Sequence, residues 1–218
     1  FLEKGHSIIC VDTQWFGNSK KIKSFLKKYK NINIKSIDNK TPIQVKTRYL
    51  NQNRYEKLIQ VTNYKNINFN KDLKRVNKVK SFFKSKDKVI ICDYGIGLFD
   101  EKITKFINKS KVKKFINVQS NSINFGFNLV SKYKKAKYVS LDEKEWKLEL
   151  NLNENYNLQK FKLLKKYNFI SLTLGKKGSI FFDKEKKDIF APALIKKTLD
   201  TTGCGDAYFL MSSLLLNE

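Results

Sequence analysis

One histidine, His6, stands in 218 residues. That scarcity weighs against Ser–His triads, Cys–His nucleophiles and imidazole-rich metal sites, which all need a placed ring. The three cysteines, Cys10, Cys92 and Cys204, are an odd number scattered through apolar or glycine-rich contexts. They suit neither a disulfide framework nor a zinc-ligand spacing, and they fit a reducing compartment, so a cytoplasmic setting is expected. No apolar run approaches the roughly 18 residues of a membrane helix, and no membrane partner is expected. No internal repeat or low-complexity linker interrupts the chain. Its opening, Phe1-Leu2-Glu3-Lys4-Gly5-His6, has neither an initiator Met nor the layout of a signal peptide, and the chain is expected to be a fragment.

Acidic residues are outnumbered 20 to 45, for a formal charge of +25. Such a balance ordinarily points to a polyanion. Arginine is nonetheless rare, at Arg48, Arg54 and Arg75 only, and lysines cover the whole length together with abundant Asn and Ile. This reads as a solvated lysine coat shaped by AT-rich coding, so nucleic acid is not the expected partner. A small substrate carrying phosphate would suit the charge equally well.

With 41% hydrophobic residues the chain can bury a substantial core. Short β-branched or apolar runs read as strands: Ser7–Val11, Ile32–Ile37, Lys88–Cys92, Lys114–Gln119, Tyr138–Leu141 and Phe169–Leu174. Between them, apolar residues at helical spacing predict helices around Ile22–Tyr29, Leu73–Phe83, from about Glu101, through Leu129–Tyr133, and at Leu158, Phe161, Leu163 and Leu164. Two alternating runs about an Asn-rich turn predict a β-hairpin over 43–62, and Ile180–Phe182 with Asp188–Phe190 a second hairpin. Strands alternating with helices imply a mostly parallel sheet with helices on both faces, taken as a single domain over 1–218.

The organising stretch is Leu199-Asp200-Thr201-Thr202-Gly203-Cys204-Gly205-Asp206, followed by Ala207–Leu216, which reads as a buried helix. Glycines at 203 and 205 allow a tight turn and close approach of a ligand. The free amides of a first helical turn favour an anion. Asp206 in that turn is either a helix-terminus carboxylate or a general base beside a bound phosphate.

The run Asp-Thr-Thr-Gly-Cys-Gly-Asp closely resembles the C-terminal signature of the ribokinase-like (PfkB) carbohydrate kinases, with Cys204 in place of a small Ala. The resemblance implies a three-layer α/β/α sandwich plus a small β lid. It implies transfer of the ATP γ-phosphoryl group to a hydroxyl of a sugar or sugar phosphate, with ATP and Mg²⁺ as cofactors. Gly203, Cys204 and Gly205 would form the anion hole, and Asp206 would be the base. Asp142 and Glu145 stand where the family has Asn-x-x-Glu, and would place Mg²⁺ and the phosphates. Their plainer reading is a capping-box variant. Thr173, Gly175 and Gly178, in Thr-Leu-Gly-x-x-Gly, would meet the nucleotide. On the acceptor side the resemblance suggests Asp93 in Asp-Tyr-Gly-x-Gly, Asn117, and Lys46 with Arg48 on the lid hairpin, where two solvated cations are an equal alternative. The Asn-rich loop 120–128 is similar to that of a heptose-phosphate kinase-related subgroup. The family's first strand and Gly-Gly segment should precede Phe1, and its adenine-closing elements should follow Glu218. A homodimer through the lid sheet is a further expectation. Two other classes stay open: a catalytically silent sugar- or nucleic-acid-binding relative, and the kinase half of a bifunctional nucleotide-sugar enzyme.

Overall fold

The computed structural model describes residues 8–12, 24, 27–28, 32–36, 45–51, 57–63, 73–84, 86–121, 124–149, 156–185, 187–195 and 201–216. The chain divides into two compact units, 1–84 and 85–218.

In the first unit, β1 (Ile8–Asp12) pairs in parallel with β2 (Ile32–Ser36). The hairpin expected over 43–62 is β3 (Val45–Leu50) paired antiparallel with β4 (Lys57–Asn63), its register shifting between Tyr49 and Leu50. Tyr49, Ile59 and Val61 share one exposed face of it. Helix α1 (Leu73–Phe83) buries Val76 and Val79 and exposes Lys74, Lys78 and Lys80, the amphipathic split that its spacing predicts. The helix expected over Ile22–Tyr29 falls almost wholly outside the described residues.

The second unit is built on a six-stranded sheet. Its strands are β5 (Lys88–Asp93), β6 (Lys113–Val118), β7 (Ala136–Asp142), β8 (Tyr167–Thr173), β9 (Ser179–Asp183) and β10 (Ile189–Ala191), in the order β10-β9-β8-β7-β6-β5. β5 to β8 run parallel, and β9 and β10 form the antiparallel edge. Phe115–Val118 is buried without a break, as a central strand covered on both faces requires.

Helices α2 (Glu101–Lys109), α3 (Glu143–Glu149), α4 (Tyr156–Leu164) and α5 (Cys204–Leu215) complete this unit. Asp100 caps α2 by accepting from the Ile103 amide at 2.9 Å. Neighbouring residues of β9 show that helices lie on both faces. Phe182 meets Trp146 of α3 at 5.4 Å, whereas Phe181 packs with Phe169 beside the α5 cluster. Successive strand residues point to opposite faces, so α3 and α5 sandwich the sheet. This is the three-layer α/β/α architecture.

α5 is anchored by Phe209, fully buried with Phe115 and Tyr138, its ring stacked on that of Tyr138 at 5.9 Å. Burying such a ring stabilises the fold by about 1.5–3 kcal/mol. The Tyr208 hydroxyl adds bonds to Ser171 Oγ and Ser179 Oγ at 3.2 and 3.1 Å.

Three expectations are corrected. α5 is buried along one face only, through Phe209 and Ser213, while Leu210, Met211 and Leu215 are 46%, 57% and 68% exposed. An almost wholly apolar helix carries no period that distinguishes the packed face from the open one. Phe161 is exposed, because α4 turns Leu163 and Leu164 inward instead. The helix expected through Leu129–Tyr133 is a single 3₁₀ turn over Val130–Lys132.

Candidate active site

The parallel strands end together at one edge, at Asp93, Val118, Asp142 and Thr173. The loops beyond these ends are the standard place for a ligand in such a sheet. α5 brings Asp206 to the same edge: its Oδ1 accepts from Gln119 Nε2 at 2.7 Å and from the Tyr94 hydroxyl at 3.3 Å.

The turn before Asp206 is shaped by Gly203, which caps α5 with φ +82° in the left-handed region. The Gly203 carbonyl accepts the first helical bond from Ala207 N at 3.0 Å. A Cβ at Gly203 or Gly205 would meet nothing within 4 Å. Gly within a helix costs about 1 kcal/mol relative to Ala, and among the described residues no neighbouring atom asks for it at 205. The backbone is therefore bare where a ligand would lie against it. One expected donor is otherwise engaged, since the Cys204 amide donates to the Thr201 carbonyl at 3.1 Å. The Gly203 and Gly205 amides make no bond among the described residues. Asp200 lies outside them.

Asp142 and Glu145 close a reciprocal cap on α3. Asp142 Oδ1 accepts from the Glu145 amide at 2.7 Å, and Glu145 Oε2 accepts from the Asp142 amide at 2.9 Å. Glu145 Oε1 takes the Ser120 amide at 3.0 Å, tying α3 to the residue after Gln119. Burial, then the charge of Asp142, pushes the Glu145 carboxyl up to about 7, against the pull of these two amides; Asp206 adds a smaller push. Burial, then Asp206 and Asp93, pushes the Cys92 thiol up to about 12, so it stays neutral at neutral pH. The charge of Asp206 is thus felt at both Glu145 and Cys92.

In a chain with 45 cationic side chains, no Lys or Arg among the described residues pairs with Asp142, Glu145 or Asp206. Nor do the described residues hold a cluster of three or more His, Cys, Asp or Glu able to grip a metal. Mg²⁺ needs only one or two carboxylates, completing its shell with waters and phosphate oxygens. Asp142 Oδ2 makes no bond among the described residues and is left for such an ion, whereas both Glu145 oxygens accept amides.

Thr173 lies beside Asp142 across the β7–β8 register, its Oγ1 donating to the Leu141 carbonyl at 3.4 Å. Gly175 opens a 3₁₀ turn at φ +57°, with space around it. Gly178 (φ +110°) closes the turn where a Cβ would fall 2.0 Å from the Ala191 carbonyl oxygen, so its smallness serves the β9–β10 hairpin.

Two acceptor-side candidates, Asp93 and Asn117, are held inside the fold. The Asp93 carboxylate is buried with both oxygens engaged. Oδ1 accepts from the Gly95 amide at 2.9 Å, and Oδ2 accepts from the Tyr133 hydroxyl at 2.8 Å and pairs with Lys132. Asn117 lies buried within the sheet, its Nδ2 donating to the Ser140 carbonyl at 3.0 Å. Arg48 stands exposed on the hairpin, bonded through Nε to Gln60 Oε1 at 3.2 Å. The Lys46 backbone is in β3, and its side chain lies outside the described residues.

The sequence gives neither Gln119 nor Tyr94 a role in the site. Gln119 is marked only by its place one residue past β6, and Tyr94 by its place past β5 as the Tyr of the Asp-Tyr-Gly-x-Gly run.

Known proteins match this chain at three levels. A family model described as pfkB family carbohydrate kinase matches residues 16–215. Among curated proteins, the Bifunctional protein HldE of Campylobacter fetus is 29% identical over 157 residues, 66% of this chain and 33% of the relative. That of Helicobacter acinonychis is 28% identical over 190 residues, 84% of this chain and 40% of the relative. The chain thus spans about a third to two fifths of these relatives' length. Among solved structures, phosphofructokinase-2 from Escherichia coli in complex with substrates and products aligns with a TM-score of 0.69 at 16% identity, over 99% of this chain and 72% of that one. Ribokinase from Giardia lamblia aligns with a TM-score of 0.60 at 17% identity, over 92% and 63%. At such identities the likeness shows the fold, which is ribokinase-like. The family match takes in the sheet edge and the α5 turn alike, and the chain belongs to the pfkB family of carbohydrate kinases.

Proposed function

We propose that this chain transfers the γ-phosphoryl group of ATP to a hydroxyl of a sugar or sugar phosphate. The observation that carries the reading is the placement of Asp206. It stands in the first turn of α5, directly after a bare glycine backbone, with its carboxylate at the loop edge of a parallel sheet.

In this reading Asp206 accepts the proton of the attacking hydroxyl. The amides of Gly203 and Gly205, at the positive end of α5, stabilise charge on the transferring group. The Cys204 amide joins them once it is released from Thr201. Thr173 and Gly175 receive the nucleotide on the neighbouring loop, with Gly178 shaping the turn. Asp142 and Glu145 would hold Mg²⁺, whose chemistry is to neutralise charge on the nucleotide phosphates. Lys46 and Arg48 are assigned to a phosphate on the acceptor. With both carboxylate oxygens of Asp93 engaged inside the fold, its role becomes that of a bracket for the loop at 95. Among the described residues no helix is long and apolar enough to cross a membrane. The exposed apolar face of the hairpin supports pairing of two copies through the lid.

A second reading is favoured by one observation: the relatives are called bifunctional, and this chain matches about a third of their length. The chain would then be the kinase part of a two-activity protein, and a His-x-Gly-His nucleotidyltransferase motif elsewhere in the gene would mark it.

The deciding experiment measures ADP release with Mg-ATP across a panel of sugars and sugar phosphates, wild type against Asp206→Asn. The expected result is turnover with one acceptor, reduced about 10²- to 10⁴-fold in the variant. Acceptor-dependent turnover equal in the two proteins would remove Asp206 from the mechanism, and no turnover on any acceptor would favour a binding protein.

A further inference from the structure

We infer that Gln119 is a positioning residue for Asp206, seconded by Tyr94, and that Asn121, Asn124 and Asn128 form the scaffold that holds the two of them; this rests on reading Asp206 as the base. Both donors converge on the same oxygen, Oδ1, at 2.7 and 3.3 Å. Oδ2 makes no bond among the described residues. A carboxylate fixed through one oxygen keeps its plane and presents the other oxygen in a set direction, which is what a proton acceptor requires. The two donors are also neutral. A lysine in their place would hold the carboxylate just as firmly but would weaken it as a base far more.

The scaffold explains the asparagine-rich loop, which the proposed chemistry does not otherwise use. The Gln119 amide donates to the Asp93 carbonyl at 2.8 Å. The Gln119 carbonyl accepts from Asn124 Nδ2 at 3.3 Å and from Asn128 Nδ2 at 3.2 Å. The Tyr94 carbonyl accepts from Asn124 Nδ2 at 2.9 Å and from Asn121 Nδ2 at 3.0 Å. Asn124 therefore bridges the backbones of both residues that touch Asp206. Only a side-chain amide can do this while its own oxygen accepts, here from the Asn121 amide at 2.8 Å. Asn128 is steadied in turn by Lys132, whose Nζ donates to its Oδ1 at 2.6 Å. Gly95 leaves room for both amides, since a Cβ there would fall 2.0 Å from Asn124 Nδ2 and 2.8 Å from Asn128 Nδ2.

The test reads the Asp206 carboxylate directly. Full-length protein labelled with ¹³C at Asp carboxyls is titrated by NMR, with the Asp206 signal assigned by its loss in Asp206→Asn. Gln119→Leu removes a donor to the charged form, so the Asp206 signal should titrate at higher pH than in wild type. Gln119→Glu keeps the shape and adds a like charge, and should raise that pH further. Tyr94→Phe should raise it less, as the longer bond implies. In the kinase assay Gln119→Leu should lower kcat about 10- to 100-fold, with KM for ATP within about twofold, and the acid limb of kcat/KM should move up with the titration. An Asp206 titration unmoved in both Gln119 variants overturns the inference, as does a loss of kcat without any shift of the limb. The near-isosteric Glu variant serves if the Leu variant fails to fold. If wild type turns over no acceptor, the kinase reading fails by itself, and the titration still decides whether Gln119 governs Asp206.

Discussion

Replacing Gly95 by Ala tests whether the loop edge is built as described. Two costs arise. A non-glycine residue at φ +67° occupies the left-handed region, at about 1–2 kcal/mol. The new Cβ would also lie 2.0 Å from Asn124 Nδ2 and 2.8 Å from Asn128 Nδ2, so both amides must move. Between them they make four bonds, to the carbonyls of Asp93, Tyr94 and Gln119. At about 1 kcal/mol net for each bond, displacing most of them costs roughly 2–4 kcal/mol. Gly126→Ala is the control. Its φ is +78°, but a Cβ there meets nothing within 4 Å, so only the backbone cost applies. The two variants should differ by about 2–4 kcal/mol. For a chain of this size that separates their melting temperatures by about 4–16 °C in calorimetry. Gly95→Ala should also lose kinase activity, because the displaced asparagines hold Gln119 and Tyr94. Equal destabilisation by the two substitutions would refute this packing.

The pH dependence of stability should report Glu145. Its carboxyl is raised to about 7 in the fold, so between about pH 4.5 and 7 the folded state keeps a proton that the unfolded state has lost, and stability falls as pH rises through that window. The change is on the order of 3 kcal/mol and levels off above the folded value. Urea unfolding of Glu145→Gln across the same range should show a shallower slope, and a variant curve parallel to wild type would dismiss it. Phe209→Ala should cost about 3–5 kcal/mol by opening a cavity against Phe115 and Tyr138. Leu215→Ala, on the exposed side of the same helix, should stay within about 0.5 kcal/mol of wild type. Equal effects of these two on urea midpoints would contradict the one-sided packing of α5.

Much of the layout was written locally. The run Lys88–Cys92 predicts a strand, because β-branched residues suit a pleated, buried surface. The helix from about Glu101 is local too, because the Asp100 cap that the structure shows acts within its first turn. The helix-opening turn at Gly203–Asp206 and the Asp142–Glu145 box are also local, as each is a pattern of a few consecutive residues closing bonds on itself. Long-range contacts settled the remainder. That Phe209 faces inward while Met211 faces out depends on the sheet beneath α5, not on the helix's own composition. That Asp93 closes a buried pair with Lys132, 39 positions on, could not be read from its place after a strand. Gln119 and Asp206 are 87 residues apart and carry no spacing that joins them. Only the parallel β5–β6 pairing and the seating of α5 bring them to one edge, because hydrogen bonds of this kind depend on position in space and leave no period in the chain.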